Sequence, residues 1–207
     1  THMKQVRSTF VSAILAGFAI ALGGTIFLSV ENKVVGAFFF TIGLFVVCTS
    51  GLHLFTGKVC YTFENGKDYA AMLPVIWLGN LAGTALAAFL IRLTRAASIA
   101  EKAAAMCAVK TSDSLLSLFV LGFFCNIFIY IGVDGYKNIP HEVGKYLALV
   151  FGVVGFILCG TEHCVADMFY FSAAGAWNPR AVLCLFVITL GNCAGGVFFP
   201  LLKKLKQ

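Results

Sequence analysis

The sequence predicts an all-α integral membrane protein of six transmembrane helices, arranged as two inverted three-helix repeats in which the second and fifth helices are broken. Three observations carry that expectation. The 207 residues are 60% hydrophobic and only 12% charged, about half the charge fraction of a soluble domain. The apolar residues gather into charge-free runs that reach the ~20 residues a helix needs to cross a bilayer core. Two of these runs are interrupted, at corresponding places in the two halves of the chain.

Thr1-His2-Met3 reads as a cleavage scar from a purification tag, so residues 1–3 stand outside the fold. No cleavable signal peptide is expected, because the first apolar run is too long for a signal-peptide core. The first repeat covers residues 4–94. It holds an unbroken helix over 8–30, a broken helix over 34–63, and a third helix over 69–91 that ends at Arg92. Residues 95–113 form a connecting segment, Ala-rich and helical by propensity, which Glu101, Lys102 and Lys110 make too polar to cross. The second repeat covers 114–207. Its first helix runs over 114–133, a loop with Gly135 and Pro140 follows, and the broken helix lies over 143–176. The last helix, 181–202, is closed by Lys203, Lys204 and Lys206.

The two breaks are the informative stretches. The fifth helix is interrupted by Gly160-Thr161-Glu162-His163-Cys164-Val165-Ala166-Asp167, which places three ionisable residues between charge-free runs. Such groups at mid-bilayer depth are expensive and persist where they line a cavity, pair with each other or serve transport. Gly160 lets the backbone leave helical geometry, and a break at that depth survives only inside protein or beside water. The second helix breaks at Gly51-Leu52-His53-Leu54-Phe55-Thr56-Gly57-Lys58. Leu78-Gly79-Asn80-Leu81-Ala82-Gly83 is echoed by Leu190-Gly191-Asn192-Cys193-Ala194-Gly195, which supports a duplication. Paired interruptions in inverted halves point to a substrate path at the repeat interface.

Composition also sets aside other classes. The net charge of +6 needs no nucleic acid, since basic residues flanking spans have a topological role. Their distribution, with Lys4, Arg7, Lys67, Lys137, Lys145 and the C-terminal lysines on one side, puts both termini in the cytoplasm. Of eight cysteines only Cys107 falls in an expected loop, which is not a disulfide framework. Cys159, His163 and Cys164 match neither zinc nor haem spacing, so no metal or cofactor is expected. A neutral-solute channel would carry paired Asn-Pro-Ala boxes, to which Asn178-Pro179-Arg180 is the nearest approach. A membrane redox enzyme, the remote alternative, would need facing cofactor ligands.

Taken together, Leu54-Phe55-Thr56, Gly160-Thr161-Glu162-His163, Asn126, the two Leu-Gly-Asn-x-Ala-Gly segments and Lys110 sixteen residues before Asn126 resemble the formate–nitrite transporter family over essentially the whole chain. The resemblance implies an aquaporin-like protomer, a homopentamer in a bacterial inner membrane, and a separate pore through each protomer. It implies that Leu54, Phe55 and Thr56 shape the first break and that Leu44 and Phe156 form hydrophobic constrictions around His163. It sets Asn80, Asn126 and Asn192 along the substrate pathway. It implies a channel and not an enzyme. Thr161 and Asp167 depart from the formate-type pattern, which has phenylalanine and asparagine there. They look more like the hydrosulfide-channel branch, so hydrosulfide is the first expectation, with formate, nitrite or proton-coupled anion transport as alternatives.

The chemistry of the residues fits a small anion. An anion cannot shed its water in an apolar pore without replacement donors. Half-helix N-termini at the breaks offer backbone N–H groups, His163 and Thr56 can donate a hydrogen bond, and Lys110 can raise the local anion concentration at a distance. Glu162 is expected to orient its neighbours. Asp167, four residues after His163 and on the same helical face, is expected to attract a proton to that imidazole and hold it in one orientation.

Overall fold

Asn32, Ser114 and Asn178 each stop the chain in extended backbone and start a helix with a side-chain oxygen. Asn32 accepts from the N–H groups of Val34 and Val35, Ser114 from Ser117, and Asn178 from Ala181, with Pro179 at the first helical position. In the computed structural model, which describes residues 2–206, these caps open α2 (Lys33–Thr49), α6 (Leu115–Asn138) and α9 (Pro179–Leu205). The remaining helices are α1 (His2–Ser29), α3 (Phe55–Val59), α4 (Thr62–Arg92), α5 (Ile99–Ser112), α7 (Glu142–Leu158) and α8 (Cys164–Ala174), with a 3-10 turn at Arg95–Ser98. Thr1 of the expected scar lies outside the described residues.

Four of these helices, α1, α4, α6 and α9, are long and apolar enough to cross a membrane by length and composition. The shorter ones come in two broken pairs, α2 with α3 and α7 with α8. Both breaks begin alike. Gly51 and Gly160 sit at φ +64° and +65° with open space where a side chain would be, so glycine is needed there for its left-handed backbone and not for room. The next residue then bonds back to the helix it has left, Leu52 N–H to Val47 O at 2.9 Å and Thr161 N–H to Phe156 O at 3.1 Å. This closes off carbonyls that would otherwise be orphaned.

The long helices pack in pairs, α1 on α4 and α6 on α9, through glycines. A Cβ at Gly83 would land on the carbonyl oxygen of Ile14, and one at Gly191 or Gly195 on that of Phe119 or Phe123. Backbone-to-backbone contact of this kind holds membrane helices together without a hydrophobic drive between them. The outer surface is apolar instead: Phe39, Phe89, Phe151 and Phe186 are each at least half exposed.

Three sequence expectations change here. Gly135 does not lie in a loop, because α6 runs on to Asn138. Cys107 does not lie in a loop but is buried in α5, because the connecting segment folds into a helix packed on α8. The helix expected to start at residue 69 is preceded by further helical turn, since α4 runs from Thr62 through a kink at Gly66, where φ is 78° and ψ −172°.

Candidate functional site

Each break leaves unpaired backbone groups in the middle of the protein, and one asparagine from a long helix satisfies them. Asn80 of α4 accepts from Phe55 N–H at 2.8 Å and donates to His53 O at 3.0 Å and Ala13 O at 2.8 Å. Asn192 of α9 accepts from Cys164 N–H at 2.9 Å and donates to Glu162 O and Gly122 O, both at 2.8 Å. An amide supplies both an acceptor and two donors, which neither a carboxylate nor an ammonium can do. Both side chains are fully buried and line neither cavity described below. The structure therefore shows these two residues holding the backbone of the breaks, and neither faces a cavity. Asn126 acts similarly: its Nδ2 donates to Thr56 O at 3.0 Å.

With the backbones fixed, Thr56 of α3 and His163 at the start of α8 face each other. His163 Nδ1 accepts from Ala166 N–H at 3.1 Å, so the proton of the neutral ring sits on Nε2. That nitrogen lies 2.9 Å from Thr56 Oγ1 and donates to it, which leaves the threonine's own hydrogen for a third group. The Phe156 ring stacks on the imidazole, with centroids 5.5 Å apart, and Phe40 meets Phe156 edge-on at 5.8 Å. Leu54, in the first break, and Leu44, inside α2 and lining neither cavity, are each 1% exposed.

A cavity opens on either side of this bridge. One, of about 200 Å³, is lined by Phe156, Thr161, Glu162, His163, Lys110 and Asp167 among others. The other, of about 370 Å³, is lined by Val47, Leu54, Lys58, Tyr61, Tyr69 and Lys137 among others. Lys33 lines the first and Val47 the second. These residues mark opposite ends of α2, ~20 Å apart at 1.5 Å per residue.

The charged residues of the smaller cavity are arranged differently from the expectation. Asp167 does not reach His163, because its Oδ1 pairs with Lys110 Nζ at 2.9 Å. Lys110 also pairs with Glu162, and all three side chains are buried. The lysine is thus not a free charge acting at long range; two carboxylates offset it. Nor are all the N–H groups at the breaks open to an anion, since Asn80, Asn192 and His163 occupy those of Phe55, Cys164 and Ala166. Phe55 is buried and lines neither cavity. Thr161 folds its hydroxyl back onto Phe156 O at 2.9 Å. Among the described residues no group of three His, Cys, Asp or Glu side chains is placed to hold a metal ion.

The sequence marks Lys58 only as an end of the first break and Lys137 only as a flanking charge, and gives Tyr61 and Tyr69 no role. A lysine inside an otherwise apolar break was the signal for the first of them. The aromatic residues looked like ordinary membrane-helix composition.

A family model described as formate/nitrite transporter matches residues 1–204. The chain belongs to the formate/nitrite transporter family. Its similarity to curated members of the formate/nitrite transporter family includes 30% identity over 217 residues to the nitrite transporter NirC of Salmonella typhimurium, covering 92% of this chain and 79% of that protein. Similarity to the formate channel FocA of Haemophilus influenzae is 24% over 238 residues, covering 93% and 84%. Among solved structures, an FNT family ion channel superposes with a TM-score of 0.83 at 26% identity, covering 96% of this chain and 89% of that one. A pentameric formate channel with formate bound shares the fold, with a TM-score of 0.84 at 24% identity over 99% and 98% of the two chains. These members of the family are named as transporters and channels, not enzymes.

Proposed function

We propose that the chain is a membrane channel for small monovalent anions of the formate and nitrite class, with one pore in each protomer. The observation that carries this reading is the Thr56–His163 bridge between two cavities. The neutral imidazole fixes the threonine oxygen by donating to it, and the threonine hydroxyl then turns its hydrogen toward the passenger. One well-placed donor in a narrow apolar passage flanked by Leu44, Leu54 and Phe156 replaces part of the water an anion sheds. It offers no fixed positive charge that would hold the anion there. Passage is easier for the conjugate acid, which carries no charge across the phenylalanine constriction.

The same reading gives six membrane crossings, with each broken pair counting as one, and two inverted repeats. Support comes from the matched glycine turns and matched asparagine struts of the two halves. The bonds from His53 N–H to Ser12 and from Lys204 to Phe63 O support placing both ends of the described chain on the side of the larger cavity. We place that side in the cytoplasm of a bacterial inner membrane. The shared fold with a pentameric formate channel and the broad apolar exterior support a homopentamer.

Hydrosulfide is the second reading, favoured by Thr161 and Asp167 where the formate-type pattern has phenylalanine and asparagine. Purified protein in liposomes, assayed for formate, nitrite and hydrosulfide flux in one preparation at several pH values, tests both. Flux of formate and nitrite above protein-free vesicles is expected. Hydrosulfide flux with neither of the others would replace the first reading by the second, and no anion flux at all would end both.

A further inference from the structure

The two cavities differ in charge. On the Lys110 side one ammonium faces two carboxylates, Glu162 and Asp167, all buried. On the opposite side, Lys58 and Lys137 line the larger cavity with no carboxylate among its lining residues. Neither lysine forms an ion pair among the described residues. The neighbouring carboxylate, Asp134, does not line the cavity and is shared among other groups: the Tyr61 hydroxyl donates to it at 3.5 Å, Asn138 at 2.8 Å, and Lys203 pairs with it at 3.1 Å. Lys137 Nζ instead sits over the ring of Tyr61, 4.4 Å from its centroid.

Lys58 is positioned by the break itself. It lies two residues after Thr56 in α3, its N–H bonds to Leu54 O at 2.8 Å, and its carbonyl accepts from the Tyr69 hydroxyl at 2.7 Å. The half-buried Lys58 therefore lines the same cavity as Leu54 and Gly57, the residues on either side of Phe55-Thr56 in the chain. Two ammonium groups bordering one cavity repel each other, with solvent screening part of the effect at the exposed Lys137. A small anion between them relieves it, and cavities of one charge sign concentrate counter-ions.

We infer that Lys58 and Lys137 form an anion-loading site for small monovalent carboxylates and oxyanions, in the cavity on the side of the chain termini. This inference rests on the channel reading above and adds a direction to it: the end that captures anions is the Lys58 end, whereas the Lys110 end has its charge offset. Lysine suits loading because a flexible ammonium binds as a point charge and releases readily, without the bidentate grip of arginine.

The test uses the full-length protein in liposomes oriented through a C-terminal affinity handle, with formate supplied to one side at a time. Lys58→Gln and Lys137→Gln are expected to raise the half-saturating formate concentration several-fold when formate enters from the side of the termini. Entry from the other side should change less than twofold, and Lys58→Arg should restore most of the loss. Wild-type half-saturation in both glutamine variants, or equal losses from both sides, overturns the loading site. If wild-type protein passes no formate from either side, the channel reading fails by itself. The loading site is then judged by broadening of the ¹³C-formate NMR signal on detergent-solubilised protein. Broadening that Lys58→Gln abolishes upholds the site, and broadening that is absent or unchanged overturns it.

Discussion

Thr56 and His163 lie 107 residues apart in the chain, yet their side chains meet at 2.9 Å, and each sits within a turn of a helix break. Their bond joins the two broken pairs. Thr56→Val keeps the shape and removes the hydroxyl. It leaves a buried imidazole N–H without an acceptor, which costs about 1–3 kcal/mol. Anion flux is expected to fall at least tenfold and the unfolding temperature in detergent to drop by a few degrees. Thr56→Ser should retain most of both. Normal flux in the valine variant would mean that the passenger never meets this hydroxyl.

Lys110 provides a second prediction. Removing one partner of a buried charge pair typically costs about 3–5 kcal/mol, because the remaining charge is left uncompensated. Lys110→Ala would strand two carboxylates, so the expectation is poor recovery of folded oligomer at any salt concentration. A lysine acting only by long-range attraction would give a folded protein whose uptake falls most at low ionic strength. Size-exclusion profiles at two salt concentrations separate the outcomes. Asp167→Asn, which leaves the Lys110–Glu162 pair intact, should fold normally.

The asparagine struts should be equivalent. Asn80→Asp and Asn192→Asp each keep the oxygen that takes a backbone N–H and lose the donors to two carbonyls. Each should destabilise the protein by a few kcal/mol, at about 1–3 kcal/mol for each buried group left unsatisfied. Asn→Leu at either position should be worse, since the N–H of Phe55 or Cys164 is then orphaned as well. Thermal unfolding of the four variants in one detergent checks this. A large difference between the two positions would show that the matched bonding is only superficial.

Glycine substitutions separate two reasons for glycine. Gly160→Ala meets open space and carries only the left-handed backbone cost, about 1–2 kcal/mol. Gly191→Ala drives a methyl group into the Phe119 carbonyl and must push α6 and α9 apart. The first variant should assemble with a modestly lowered unfolding temperature, while the second should fail to yield a stable oligomer.

Much of this was readable in the chain. Scarce charge, six apolar runs and two glycine-led interruptions led to an all-helical membrane fold, because each reports a local cost that the bilayer imposes. His163 stood out for the same reason, whereas Thr56 came from the resemblance to the formate–nitrite transporter family. The partner of Asp167 did not. Helical spacing puts Asp167 on the face of His163, but Lys110 reaches it from α5, a segment whose polarity marked it only as a connection. Side-chain pairing across tertiary distance leaves no periodic trace. The role of Asn80 and Asn192 was hidden likewise, since a repeated hexapeptide shows duplication without showing which groups the asparagines hold.

The stretch leading into α6 has a practical meaning for protein engineers. Arg180 donates to Thr111 O at 3.1 Å and to Asp113 O at 2.6 Å, while Lys110 is bound between Glu162 and Asp167. The end of α5 therefore works as a latch on the second half of the protein. A fluorescent tag, protease site or circular-permutation cut placed near residues 110–114 would pull the latch open. The 3-10 turn at Arg95–Ser98 has no buried residue and is the place in this connection where the chain can be opened with least disturbance.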